Sequence, residues 1–324
     1  METTTKKISK YSGFEKRKFP FIYLFIAFPV LQFLVFWVYV NSSSIALSFL
    51  SDKNTLTFKN FIYIFDALQG KKTLGGMGFP LWDSMKRSLL LWGLDFFVLF
   101  PIGVVTTYIL YRRLPGHYVF RICYIIPSLM GAVMWSQLIR YLAQKEGALT
   151  MLVQAMGVTL PGLAAKDGLF GAAETAFPTI VSIKIVMSLV GNNAVLTGAF
   201  SRVPDEIYES ADLDGAGFWR TFACIAVPCV WSTIATLLTF SLCSFVTADY
   251  NVFLFTNGGD KLTDTSTVGF LLYRLTLDIS QGTGGGKPYY GVPAALGVFL
   301  TVITVPIVLI GRKIIDSIYA DVEI

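Results

Sequence analysis

The sequence predicts an all-α, polytopic membrane protein with six transmembrane helices. Three observations carry this. The 324 residues are 54% hydrophobic and only 15% charged, where soluble chains carry about 25% charged residues. Apolar runs of roughly twenty residues, the length that spans a bilayer, recur along the chain. Between two of them lies one strongly acidic stretch, 201–228, reading SRVPDEIYESADLDGAGFWRTFACIAVP.

Residues 1–18 form a basic tail ending in Glu15-Lys16-Arg17-Lys18 and are expected in the cytoplasm. The first span is 19–40, too long an apolar run for a cleaved signal segment and so read as a retained anchor. Residues 41–87 form an external segment, in which the amphipathic 58–65 is expected to lie on the membrane face and 70–78 to be loop. The core is 88–315, with five spans. Its spans are 88–111, 118–139, 176–200, 222–245 and 292–310, and its cytoplasmic loop is 201–228. Residues 316–324 are a short cytoplasmic tail. Lys and Arg divide almost evenly between the two sides. The rule that positive charge stays inside weighs short flanks, so the clusters at Lys16–Lys18 and Arg112–Arg113 decide, against Lys86 and Arg87. This puts a multi-pass chain in the plasma membrane with both termini cytoplasmic. Pro101, Pro127, Pro228 and Pro306 are expected to kink spans.

The composition excludes several function classes. One histidine, His117, and four scattered cysteines (Cys123, Cys224, Cys229, Cys243) give no metal spacing and no disulfide framework. A net charge of +5 spread over so many apolar residues predicts no nucleic-acid partner, and lipid is the surrounding medium. No HExxH, GxSxG or P-loop is present. GTGGGK at 282–287 lacks the first glycine and the final Ser or Thr of a phosphate-binding loop, so energy must come from a partner or an ion gradient.

Five of the ten residues 205–214 are acidic. Pro204 suits a first helical position, Asp205 and Glu206 favour the positive end of the helix dipole, and Gly215 is where such a helix stops. The result is a rod of about 15 Å with Asp205, Glu209 and Asp212 along one side. Ala211, Gly215, Ala216 and Gly217 leave room for a close neighbour. Surface ion pairs stabilise by only about 0–1 kcal/mol each, so a docked partner would also have to bury Ile207, Tyr208, Leu213 and Phe218.

Glu209-Ser210-Ala211, two residues, Asp214-Gly215-Ala216, eight residues, then Ile225-Ala226-Val227-Pro228 resembles the EAA loop of ABC importer permeases, and more closely the carbohydrate (maltose/oligosaccharide-type) uptake family. Ser210 departs from the usual Ala. Residues 250–277 resemble the segment after that family's penultimate core span, and LTFKNFIYIF (56–65) its first external segment. The resemblance implies a type I ABC importer permease fold, with 205–216 acting as the coupling helix through Asp205, Glu206, Tyr208, Glu209, Ala211, Asp214, Gly215 and Ala216. Asp214 either docks or closes the turn locally. The resemblance further implies a second permease, expected to be a different chain, two ATP-binding subunits that hold ATP and Mg, and an extracellular solute-binding protein. This chain itself binds no cofactor and is not an enzyme.

Ionisable groups at membrane depth are costly. Asp95 and Lys184 therefore line a polar path or pair with each other or with backbone. Asn192 and Asn193 line the path or cap a break at Gly191. Trp135 and Gln137, with Asp249, Tyr250 and Asn251, combine aromatic faces and polar groups, as a sugar site requires; membrane-belt aromatics would look the same. Two competing readings remain: an ion-coupled secondary transporter using Asp95 and Lys184, and an export or assembly scaffold.

Overall fold

The computed structural model describes residues 23, 25–51, 55–71, 81–112, 119, 122, 130–157, 167–191, 193–245, 252–256, 265–280 and 290–318. Among them the chain is helical, with one isolated bridge between Leu50 and Leu56. Among the described residues, three helices are long and apolar enough to cross a membrane: α1 (Phe25–Ser48), α3 (Leu81–Tyr111) and α13 (Gly291–Ile318). A fourth crossing arises if α9 (Phe218–Cys229) and α10 (Trp231–Cys243), bent by 76° at Val230, form one span. Over the span predicted at 176–200 the described residues are helical, as α6 (Ala173–Gly191) and α7 (Asn193–Phe200), on either side of Asn192, which lies outside them. Of the one predicted over 118–139, the described residues are helical at 119, at 122 and along α4 (Ala132–Ala143).

Several boundaries differ from the sequence reading, each for a local reason. α1 runs eight residues past the predicted end. The polar run Asn41–Ser48 stays helical because Asn41, Ser43, Ser44 and Ser48 bond back to carbonyls three or four residues earlier, which satisfies their polar groups without unwinding the backbone. α2 (Lys59–Leu68), expected on the membrane face, also packs inward along one side. It buries Asn60, Ile64 and Ala67, packs against α13, and its Asn60 amide donates to the Ser48 and Leu50 carbonyls at 2.9 Å each. That amide thereby caps the end of α1. α13 continues through Gly311-Arg312-Lys313, and Pro306 sits within it without a break.

Two prolines act by a shared device. A proline ring crowds the carbonyl four residues earlier and supplies no N–H to it. For Pro101 that carbonyl belongs to Phe97, and for Pro228 to Cys224. Both lie in π-helical turns, Asp95–Leu99 and Phe222–Ala226, where the wider winding relieves the conflict. At Pro101 the helix stays continuous; beyond Pro228 it breaks at Val230.

The core has two main clusters. One gathers around Leu81, Ile139, Ile180, Phe270 and Leu296, near the start of α3. The helix α12 (Val268–Ser280) is fastened there: the Ser88 hydroxyl accepts from the Val268 N–H at 2.8 Å, and Ser84 and Ser266 hydroxyls meet at 2.6 Å. The other gathers around Phe100, Val104, Tyr108, Phe200, Tyr208, Ala226 and Val230, at the far end of α3. The second cluster carries the acidic helix.

Candidate coupling site

The acidic helix α8 spans Asp205–Leu213. Pro204 is the residue before its first turn, with ψ 136°, one position earlier than predicted. Asp205 and Glu206 occupy the first turn, favourable against the helix dipole. The other end closes as a Schellman turn: the Ala216 N–H donates to the Ala211 carbonyl at 2.9 Å and the Gly215 N–H to the Asp212 carbonyl at 3.2 Å. This geometry needs a left-handed residue, and Gly215 supplies it with φ +70°. Asp214 sits at the turn with its backbone N–H on the Ser210 carbonyl and its side chain exposed.

The helix has two working faces, and the division corrects the sequence reading. Tyr208, only 3% exposed, and Ala211 are buried against the chain's own core, so neither is available to a partner. Ile207 and Phe218 pack on the same cluster. Asp205 and Asp212, expected to face outward with Glu209, flank the buried side. Asp212 accepts from Arg112 Nη2 at 3.1 and 3.2 Å, and the Tyr111 hydroxyl lies 3.5 Å from Asp205 Oδ1. Glu206, Glu209, Ser210 and Leu213 point away from the core. Leu213 is 89% exposed, and Trp219, just beyond the turn, is exposed as well. Ala216 is half-buried.

Beneath the helix is an aromatic box. The Tyr108 ring lies 5.0–5.5 Å from Phe222, Phe218 and Phe200, and 6.5 Å from Tyr208. Tyr111 stacks on Phe200 at 6.0 Å, and the Arg112 guanidinium sits 5.2 Å from the Tyr208 ring centroid. Burial pushes the Tyr208 phenol well above its ordinary range, so it stays neutral. Beside α8 is an open cleft of about 530 Å³ bordered by Tyr111, Arg112, Arg202 and Asp205. Arg112, Tyr111 and Tyr108 were not singled out as site residues from sequence. The only local signal was the Tyr-Arg pair closing an apolar span.

Of the residues proposed to line a path, Asp95 and Lys184 meet: Lys184 Nζ is 3.0 Å from Asp95 Oδ1, with side chains 16% and 29% exposed respectively. Trp135 packs against the first core cluster with its Nε1 buried and unpartnered among the described residues, while Gln137 is exposed. Asn193 opens α7; Asn192, Asp249, Tyr250 and Asn251 lie outside the described residues. Those residues hold no cluster of three or more His, Cys, Asp or Glu able to hold a metal.

Set against solved structures, the chain overlays on a subunit of a bacterial ABC transporter involved in the import of the acidic polysaccharide alginate. The TM-score is 0.73 at 20% identity, over 94% of this chain and 97% of that one. The chain has the ABC importer permease fold. A second structure of an alginate ABC transporter, in complex with an alginate pentasaccharide-bound periplasmic protein, overlays on the same permease fold with a TM-score of 0.69. In sequence the chain is 24% identical over 225 residues to the maltose/maltodextrin transport system permease of Escherichia coli (strain K12), a match covering 67% of this chain and 42% of that relative. It is 28% identical over 186 residues to the diacetylchitobiose uptake system permease of Streptomyces coelicolor, covering 56% of this chain and 47% of that one. The matched region is thus under half the length of these curated relatives. No family model matches the chain.

Proposed function

We propose that this chain is the transmembrane permease subunit of an ATP-driven carbohydrate importer, forming half of the translocation pathway. The observation that carries the reading is the division of α8. Tyr208 and Ala211 fix the helix to the chain's own core, while Glu206, Glu209, Leu213 and Asp214 remain exposed. A short helix anchored on one face and free on the other can be gripped and moved as a unit. The permease fold and sequence relatives whose names specify maltose, maltodextrin and diacetylchitobiose support a sugar cargo.

In this reading two ATP-binding subunits, holding ATP and Mg, dock under α8 and its counterpart on a second permease of different sequence. An extracellular solute-binding protein delivers cargo, and both termini of this chain are cytoplasmic. Hydrolysis takes place on the partners; this chain performs no chemistry. The test is Glu209→Lys together with a bulky replacement of Gly215. Both variants should reach the membrane yet lose cargo-stimulated uptake, and Glu209→Lys should no longer co-purify with ATPase subunits. Unaltered uptake in both variants refutes the reading. So does uptake that follows an ion gradient with no ATPase bound, which is the behaviour of a secondary transporter built on Asp95 and Lys184.

A further inference from the structure

Helix α8 has nine residues, about 13 Å of rod, too short to hold its shape or orientation unaided. Its orientation must come from what it touches. The aromatic box gives it a bed and sets which face is buried, but packing contacts of this kind have broad minima, and hydrogen bonds and ion pairs fix direction more sharply. The directional contacts come from α3. Asp205, Tyr208 and Asp212 fall on one stripe of α8, spaced three and four apart. All three are met by consecutive residues at the end of α3: Tyr111 on Asp205, Arg112 on the Tyr208 ring, and Arg112 on both Asp212 oxygens. The guanidinium is planar and can lie over a ring while donating to a carboxylate.

We propose that Arg112 is a positioning residue for coupling: its contacts to Asp212 and Tyr208 fix the rotational phase of α8 on α3, so that displacement of the exposed face moves α3 instead of rolling α8. This rests on the coupling reading given above. α3 then has somewhere to carry the motion. Seventeen residues back along it, about 25 Å by helical rise, Asp95 holds Lys184 of α6 at 3.0 Å. α6 leads through α7 back to α8, and α7 itself packs on α3. The four helices α3, α6, α7 and α8 close a ring with a polar clasp at each end. Opening the Arg112 clasp leaves the covalent connection and the aromatic bed intact and removes only the register.

The experiment uses the complete importer in liposomes and reads cargo taken up per ATP hydrolysed. Arg112→Ala should retain its ATPase subunits and still hydrolyse ATP, with uptake per ATP reduced at least fivefold. Asp212→Asn, which leaves the guanidinium on Tyr208, should show a smaller loss in the same ratio and serves if Arg112→Ala does not fold. The charge swap Arg112→Asp with Asp212→Arg should recover at least half of the ratio. A ratio within twofold of wild type for Arg112→Ala overturns the proposal, as does an equal fall in hydrolysis and uptake, or a charge swap no better than the single variant. Glu209→Lys separates the layers. If that variant keeps its ATPase subunits and normal uptake while Arg112→Ala is impaired, the docking reading falls and the Arg112 result stands. A wild-type chain that purifies without ATPase subunits overturns both.

Discussion

Lys184 Nζ and Asp95 Oδ1 lie 3.0 Å apart, joining α6 to α3 at the π turn that precedes Pro101. The pairing turns two residues that would each be costly in a bilayer into one neutral unit, and Pro101, six residues further along the chain, accompanies the widened turn in which Asp95 sits. Pairing accounts for both residues without requiring either to move a proton. It predicts a sharp asymmetry between single and double replacement. Lys184→Met alone takes the ammonium from beside the Asp95 carboxylate and should cost about 2 kcal/mol, below the roughly 3–5 kcal/mol of a fully buried broken pair because both side chains keep some exposure. Asp95→Asn with Lys184→Met should regain most of that loss. Thermal unfolding of the four proteins of this cycle in detergent measures it. An ion-relay role instead requires that the double variant lose uptake while remaining folded.

Leu213 is 89% exposed on the face of α8 turned from the core. Leu213→Asp should therefore change stability by less than about 0.5 kcal/mol. If a partner covers the residue, burying it contributes about 1.5–3 kcal/mol, and its loss should weaken association with the ATPase subunits at least tenfold. Titration of purified ATPase onto the solubilised permease reads this directly. Tight binding by the variant would assign the partner's contact to another face.

Two glycines with positive φ should respond very differently to alanine. At Gly215, φ +70°, an added Cβ meets nothing within 4 Å, so Gly215→Ala should cost only the left-handed backbone penalty, about 1 kcal/mol. Gly215→Asn should cost less, because Asn tolerates that region. At Gly168, φ +57°, a Cβ would run into the Ala143 carbonyl, so Gly168→Ala must displace the end of α4 and should cost at least about 2 kcal/mol more. Thermal unfolding ranks the three.

The sequence exposed what depends on local pattern and concealed what depends on distant partners. The acidic helix and its glycine stop were readable because capping chemistry involves residues within one turn of each other. The burial of Tyr208 was not legible because an aromatic on a short polar helix looks the same whether it faces a partner or its own core; the rings it meets, Tyr108 and Tyr111, come from another helix. Arg112 finds Asp212 a hundred positions away, which no periodicity records. The helix ends erred for a different reason: Asn41–Ser48 reads as polar and external, yet each of its hydroxyls and amides that bonds inward makes it compatible with helix. The pairing of Asp95 with Lys184 could be named as one alternative, because few other groups at that depth could satisfy either.

Tyr208 gives the most discriminating test of how α8 is held. Its hydroxyl is buried without a hydrogen-bond partner among the described residues, and such a group costs about 1–3 kcal/mol. Its ring, by contrast, contacts Tyr108, Tyr111 and Arg112. Tyr208→Phe keeps the ring face under the guanidinium and deletes the unsatisfied oxygen, so it should stabilise the protein by about 1 kcal/mol and leave uptake unchanged. Tyr208→Ala removes the ring and should cost about 3–5 kcal/mol, freeing α8 from α3 along with the Arg112 contact. Hydrogen exchange at the amides of 205–213 should report the difference locally, with protection retained in the first variant and lost in the second. Faster exchange in Tyr208→Phe would mean that the oxygen, and not the ring, holds the helix in place.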